Sequence, residues 1–96
     1  MATLDILLLR SFVAIARAGS FRAAADRVSR TQSAVSLQMK RLEDITGERL
    51  FHRTGSGVTL TVAGERLMVG AKRILSAHDE TLASIRAQGL QGAIAF

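Results

Sequence analysis

Two helical patterns separated by only three residues, between positions 20 and 46, constrain this chain more than any other feature. Residues 21–28 form the first. Ser20 stands just before it, where a hydroxyl can accept from an orphan N–H one turn on. Gly19 ends whatever helix precedes it. Ser29-Arg30-Thr31 makes the turn, and a second helix runs from near Thr31 to about Ile45. Val35, Met39 and Leu42 recur at i, i+4 and i+7, which is one buried stripe. Ala24 and Ala25 are small enough for a crossing helix to approach closely. Two helices at a steep angle with a three-residue turn and small residues at the contact describe a helix-turn-helix. The other side of the second helix carries Ser33, Ser36, Leu37 and Lys40. That face is short, hydrogen-bonding and free of acid, as approach to bases and phosphates requires.

Charge points the same way. The 96 residues carry a net charge of +5, and the pI is about 11.4, so an acidic partner is expected. Between positions 20 and 53 lie seven basic residues (22, 27, 30, 40, 41, 49, 53) and four acids (26, 43, 44, 48). That stretch therefore supplies +3 of the +5. Arg41 is expected to pair with Glu43 or Asp44 on the surface. Tyr and Trp are absent and Phe occurs four times, which argues against single-strand binding on aromatic platforms.

On either side of this stretch the chain reads as scaffold. Residues 4–18 form a first helix with Thr3 or Asp5 as its cap. Leu8, Phe12 and Ile15 make one stripe, with Leu9, Val13 and Ala16 beside it, as suits the central helix of a small bundle. Arg10 and Arg17 form its wet side. Gly47 stops the second helix of the pair. Leu50 and Phe51 return to the core, Thr54-Gly55-Ser56-Gly57 turns, and Val58-Thr59-Leu60 is a short return strand. Two strands about a glycine-rich turn make a hairpin, which beside a helix-turn-helix is a wing. Arg53, just before its tip, is placed to reach a phosphate or a minor groove.

Thr61 caps a last helix that runs to about Gln88. Leu67, Ala71, Ile74, His78, Leu82 and Ile85 step along it as a continuous apolar seam. A helix of some 27 residues extends about 40 Å, far beyond what a 60-residue core can cover. The remainder needs a partner, most simply the same helix of a second copy. Gly89 and Gly92 end the helix. Ala93-Ile94-Ala95-Phe96 then reads like the first strand of a further domain.

No residues point to catalysis or a cofactor. His52 and His78 fall in separate elements, and a metal site needs a cluster at ligand spacing. There is no cysteine, hence no disulfide framework or thiolate zinc site. Gly55-Ser56-Gly57 lacks the strand, lysine and helix of a phosphate loop. The first residues have no basic n-region and no apolar run approaches a membrane span, so the cytoplasm is expected and a membrane is not. The residues alone also allow a helical dimerisation module whose charge is incidental; seven basic residues beside an acid-free face favour DNA.

Several motifs follow one another without gaps: Phe12-Val13-Ala14-Ile15-Ala16, Gly19-Ser20-Phe21, Ala24-Ala25, Thr31-Gln32-Ser33-Ala34-Val35-Ser36, Gln38-Met39-Lys40-Arg41-Leu42-Glu43, Gly47-Glu48-Arg49-Leu50-Phe51, Arg53, Leu60-Thr61 and Ala63-Gly64. Over nearly its whole length the chain resembles the N-terminal DNA-binding part of a LysR-type transcriptional regulator. Molybdate-sensing regulators have a similar winged domain, but Leu90-x-Gly92 favours the LysR type. The resemblance implies a mainly α fold: a winged helix-turn-helix over 1–60, a linker and dimerisation helix over 61–89, and the start of an effector-binding domain over 90–96. It implies double-stranded DNA as partner and a homodimer, with a tetramer open to the full-length regulator. A small-molecule co-inducer would bind only through the further C-terminal domain. Residue by residue, it assigns Gln32, Ser33, Ser36 and Leu37 to base edges or their sugars, and Ser20, Arg22, Thr31, Lys40 and Arg53 to phosphate or minor groove. Gln32 has the amide that pairs with adenine N6 and N7. The sequence departs from the family at three places. Arg30 stands where a small aliphatic residue is commonest, and either snorkels across the turn or contacts phosphate. Leu37 replaces an often polar or basic reader and can meet only a thymine methyl or a sugar. Ser56 and Thr59 occupy wing positions that are often basic.

Overall fold

The computed structural model describes residues 2–95, with side chains described for 2–87. Its elements are α1 (Ile6–Ala18), α2 (Phe21–Arg27), α3 (Gln32–Thr46), β1 (Phe51–Thr54), β2 (Gly57–Leu60) and α4 (Val62–Ala95). Local chemistry sets most boundaries. Asp5, not Thr3, caps α1: its carboxylate accepts from the Leu7 N–H at 2.7 Å, so the helix begins at Ile6 rather than Leu4. Gly19 and Gly47 close α1 and α3 with φ of 75° and 72°, a backbone that glycine adopts without a Cβ penalty.

α1 is the central helix and packs against α2, α3, α4 and β2. Leu9, Phe12 and Ile15 are fully buried, joined by Ala24 of α2, Val35 and Leu42 of α3, Leu50, and Ala71 of α4. Ser11 is buried too, and its hydroxyl donates to the Gln38 side-chain oxygen at 2.6 Å, tying α1 to α3. Arg10 is exposed as expected but not free. It meets Asp79 of α4 at 2.6 Å.

The hairpin is tighter than its sequence suggests. Phe51 pairs with Leu60, His52 with Thr59, Arg53 with Val58, and Thr54 with Gly57, leaving only Gly55-Ser56 at the tip. The wing is anchored to the body by the Val58 N–H on the Gly19 carbonyl at 2.9 Å and by the Thr61 N–H on the Leu50 carbonyl at 3.0 Å. A Cβ on Gly57 would overlap that Gly19 carbonyl, and one on Gly64 would overlap the Leu50 carbonyl. Glycine at both positions is thus a demand of backbone approach.

One expectation fails at the C-terminal end. The helix does not stop at Gly89 or Gly92, and no strand follows among the described residues; α4 continues to Ala95. Phe96 lies outside the described residues. Glycine weakens a helix interior by about 1 kcal/mol relative to alanine without ending it, and the chain has no proline to do so. No helix among the described residues is long and apolar enough to cross a membrane.

Candidate nucleic-acid interface

The turn between α2 and α3 is a full left-handed closure built without glycine. Ser29 has φ of 55°. The Arg30 N–H reaches the Ala25 carbonyl at 2.9 Å and the Ser29 N–H reaches that of Asp26 at 3.3 Å. These two bonds are the paired closure of a Schellman motif, and they hold α3 at its angle to α2. A serine in this conformation carries no glycine signal, so only its place in the turn could have suggested it. Arg30 follows immediately and is exposed.

The starts of α2 and α3 are both capped by hydroxyls. The Ser20 hydroxyl accepts from the Ala23 N–H at 3.1 Å, and the Thr31 hydroxyl from the Ala34 N–H at 3.1 Å. Both residues are therefore caps first, and each keeps its O–H to donate outward. Arg22 is exposed on the first turn of α2.

On α3 the division between faces is sharp. Val35, Met39 and Leu42 are buried. Gln32, Ser33, Leu37 and Lys40 are exposed and Ser36 is half-buried. Leu37 leaves 51% of its surface open, the one large apolar side chain on this face of α3. The acid-free stretch is shorter than the sequence implied. Asp44, four residues beyond Lys40, lies on the same face and closes it. Glu43 is engaged structurally, accepting from the Leu50 N–H at 2.8 Å.

Arg53 is on β1, just before the tip as expected. It is exposed, with its guanidinium carbon 4.4 Å from the centroid of the Phe21 ring. Among the described residues the carboxylate contacts of basic side chains are those of Arg10 and the His78 ring, both with Asp79. Arg22, Arg30, Lys40 and Arg53 thus have no carboxylate partner there, and Arg41 makes neither of its expected pairs. Ser36, Leu37, Lys40 and Arg53 line one open cleft between α3 and the wing. The structure so brings four of the ten sequence-assigned residues to one cleft, while Ser20, Arg22, Arg30, Thr31, Gln32 and Ser33 stand at or near the helix starts.

The seam of α4 divides in two. Ala71 is fully buried in its own domain, and Leu67 packs half-buried against the same core. Ala71 therefore serves the fold and is not available to a partner, which corrects the seam as first drawn. A small residue lets α4 approach α1 closely there. From Ile74 onward the stripe lies open: Ile74, Leu82 and Ile85 are 36%, 39% and 61% exposed. His78 lies within the open half, between Ile74 and Leu82, its Nδ1 3.2 Å from Asp79 and 3.4 Å from Arg10. Hydrogen bonds from Arg10 and then His78 hold the Asp79 carboxyl below its ordinary pKa.

Known proteins share this arrangement. Residues 6–65 match the model of the bacterial regulatory helix-turn-helix proteins of the lysR family. The transcriptional regulator DgdR of Burkholderia cepacia is 58% identical over 94 residues, covering 98% of this chain and 32% of its own length. The chain thus spans about a third of that curated relative. The DNA-binding domain of CbnR, solved in complex with DNA, superposes with a TM-score of 0.84 at 34% identity, over 90% of this chain and 99% of that one. The BenM domain, solved with a catB site 1 DNA, gives 0.85 at 29% identity, over 90% and 97%.

Proposed function

The chain belongs to the lysR family of bacterial regulatory helix-turn-helix proteins, and from that premise we propose that it is the sequence-specific DNA-binding part of a dimeric transcriptional regulator. α3 enters the major groove, and the wing lies at the flanking minor groove or phosphates. One observation carries this. The exposed face of α3 presents an amide, hydroxyls, a leucine and a lysine, while its opposite face is locked into the core by Val35, Met39 and Leu42. A helix held this way has one surface to offer, and that surface has the chemistry of a groove reader.

Gln32, Ser33, Ser36 and Leu37 meet base edges or their sugars. Ser20, Arg22, Arg30, Thr31, Lys40 and Arg53 meet phosphates or the minor groove. Residues 1–60 act as the DNA-binding unit and 61–89 as the linker that joins two copies through Ile74, Leu82 and Ile85. Residues 90–96 lead toward an effector-binding domain, through which a small-molecule co-inducer acts. The protein works in the cytoplasm as a binding protein rather than a catalyst. Selection of sites from random duplex DNA tests the proposal: a two-fold motif should be enriched, with half-sites about one helical turn or a multiple apart. A pool that stays random after repeated rounds would sink it.

A further inference from the structure

In the free protein, Arg53 rests on a ring. Strand alternation explains why: Arg53 is two residues from Phe51, so both project from the same face of β1, toward the body of the domain. Phe51 enters the core and Arg53 arrives over Phe21. That ring is itself held. Phe21 is 7% exposed and meets Phe51 edge-on at 6.0 Å, and Phe51 meets Phe12 at 5.3 Å. Three core rings therefore fix the surface over which the guanidinium stands.

The same ring lines the cleft between α3 and the wing, together with Lys40, Leu37 and Arg53. Glu43, Asp44, Glu48 and Arg49 line it too; Glu43 is taken up by the Leu50 N–H, and Lys40 and Arg53 have no carboxylate partner among the described residues, so an anion is drawn toward them. A guanidinium lying over a ring keeps its N–H edge free for a phosphate, and less side-chain freedom is lost when it binds.

We infer that Phe21 is a positioning residue: its ring holds Arg53 so that Arg53 and Lys40 close on one stretch of the DNA sugar–phosphate backbone, with Leu37 against the sugar. This rests on the DNA-binding proposal and refines it, placing Arg53 on a phosphate bordering the major groove and leaving the minor groove to the hairpin tip.

Pentafluorophenylalanine at position 21 is the direct test, because it keeps the ring's shape and reverses the charge of its face. Affinity for a selected duplex should fall about two- to five-fold per half-site, the size expected of a cation–π contact, with the melting temperature nearly unchanged. Phe21→Leu should act in the same direction. Both losses should vanish in an Arg53→Ala background. Scanning the duplex with single methylphosphonates should reveal a phosphate whose neutralisation weakens the wild type but not Arg53→Ala. Unchanged affinity with the fluorinated ring would overturn the inference. So would a loss that persists in Arg53→Ala, or an Arg53 effect that maps to minor-groove base changes. If these occur while the wild type binds duplex well, DNA binding stands and only the role of Phe21 falls. A wild type that binds no duplex removes both.

Discussion

Gln32 and Lys40 stand eight residues apart on α3 and should fail in opposite ways. Gln32 is exposed at the first residue of α3, and only its amide can pair bidentately with a base, discriminating by about 1–3 kcal/mol. Gln32→Ala should flatten preference at one base pair of each half-site and leave non-specific affinity nearly intact. Lys40→Ala should weaken all sequences alike, because a point charge reads phosphate and not bases. Parallel site selections on the wild type and both variants decide this; an unaltered base profile in Gln32→Ala would mean that the amide is not the reader. At this scale the sequence was informative wherever a residue acts on its own neighbours. Ser20, Thr31, Gly19 and Gly47 all do what local chemistry predicts. It was silent on Ser29, whose left-handed backbone carries no glycine signal, and on Gly57 and Gly64, whose Cβ clashes come from distant carbonyls.

Elements are tied by contacts that spacing alone does not reveal, and α1 with α4 is the clearest case. Arg10 and Asp79 are 69 positions apart yet meet at 2.6 Å. The Asp79 pKa is lowered in the folded state, so its contribution is present above the ordinary carboxylate pKa and is lost as pH falls through the lowered value. Both side chains are largely open to solvent, so the effect is small. Urea unfolding of the wild type and Asp79→Asn should differ slightly at neutral pH and converge below the carboxylate range; a gap that widens on acidification would contradict the assignment. Further along α4, the open stripe yields a larger effect. Replacing Ile74 and Leu82 by Asp would place carboxylates in an apolar interface, which is costly without partners. Sedimentation should then report a monomer that keeps most of its helical signal. A dimer that survives places the interface elsewhere on the molecule.

The molecule as a whole has a compact body and a projecting helix, within 58 × 29 × 20 Å. Its cations at the interface pair with no carboxylate among the described residues, so duplex binding should release counterions freely. A dimer with six to ten phosphate contacts should lose roughly 10³–10⁵ in affinity between about 50 and 200 mM salt. Arg53→Ala should make the slope of log K against log salt shallower by about one unit. A flat slope in titrations of the wild type would remove the electrostatic basis of binding. The helix order, the buried stripe of α3, the wing and the family all follow from the sequence, because periodicity, caps and glycines act over a few residues and leave their marks there. Tertiary structure alone decided three matters. It drew Ala71 into the core and left Leu82 and Ile85 open, because coverage of α4 ends where α1 ends. It released Arg41 from its expected pairs, since Glu43 turns instead to the Leu50 N–H. It laid Arg53 on Phe21, a contact between residues 32 positions apart that exists only once the hairpin has folded back against α2.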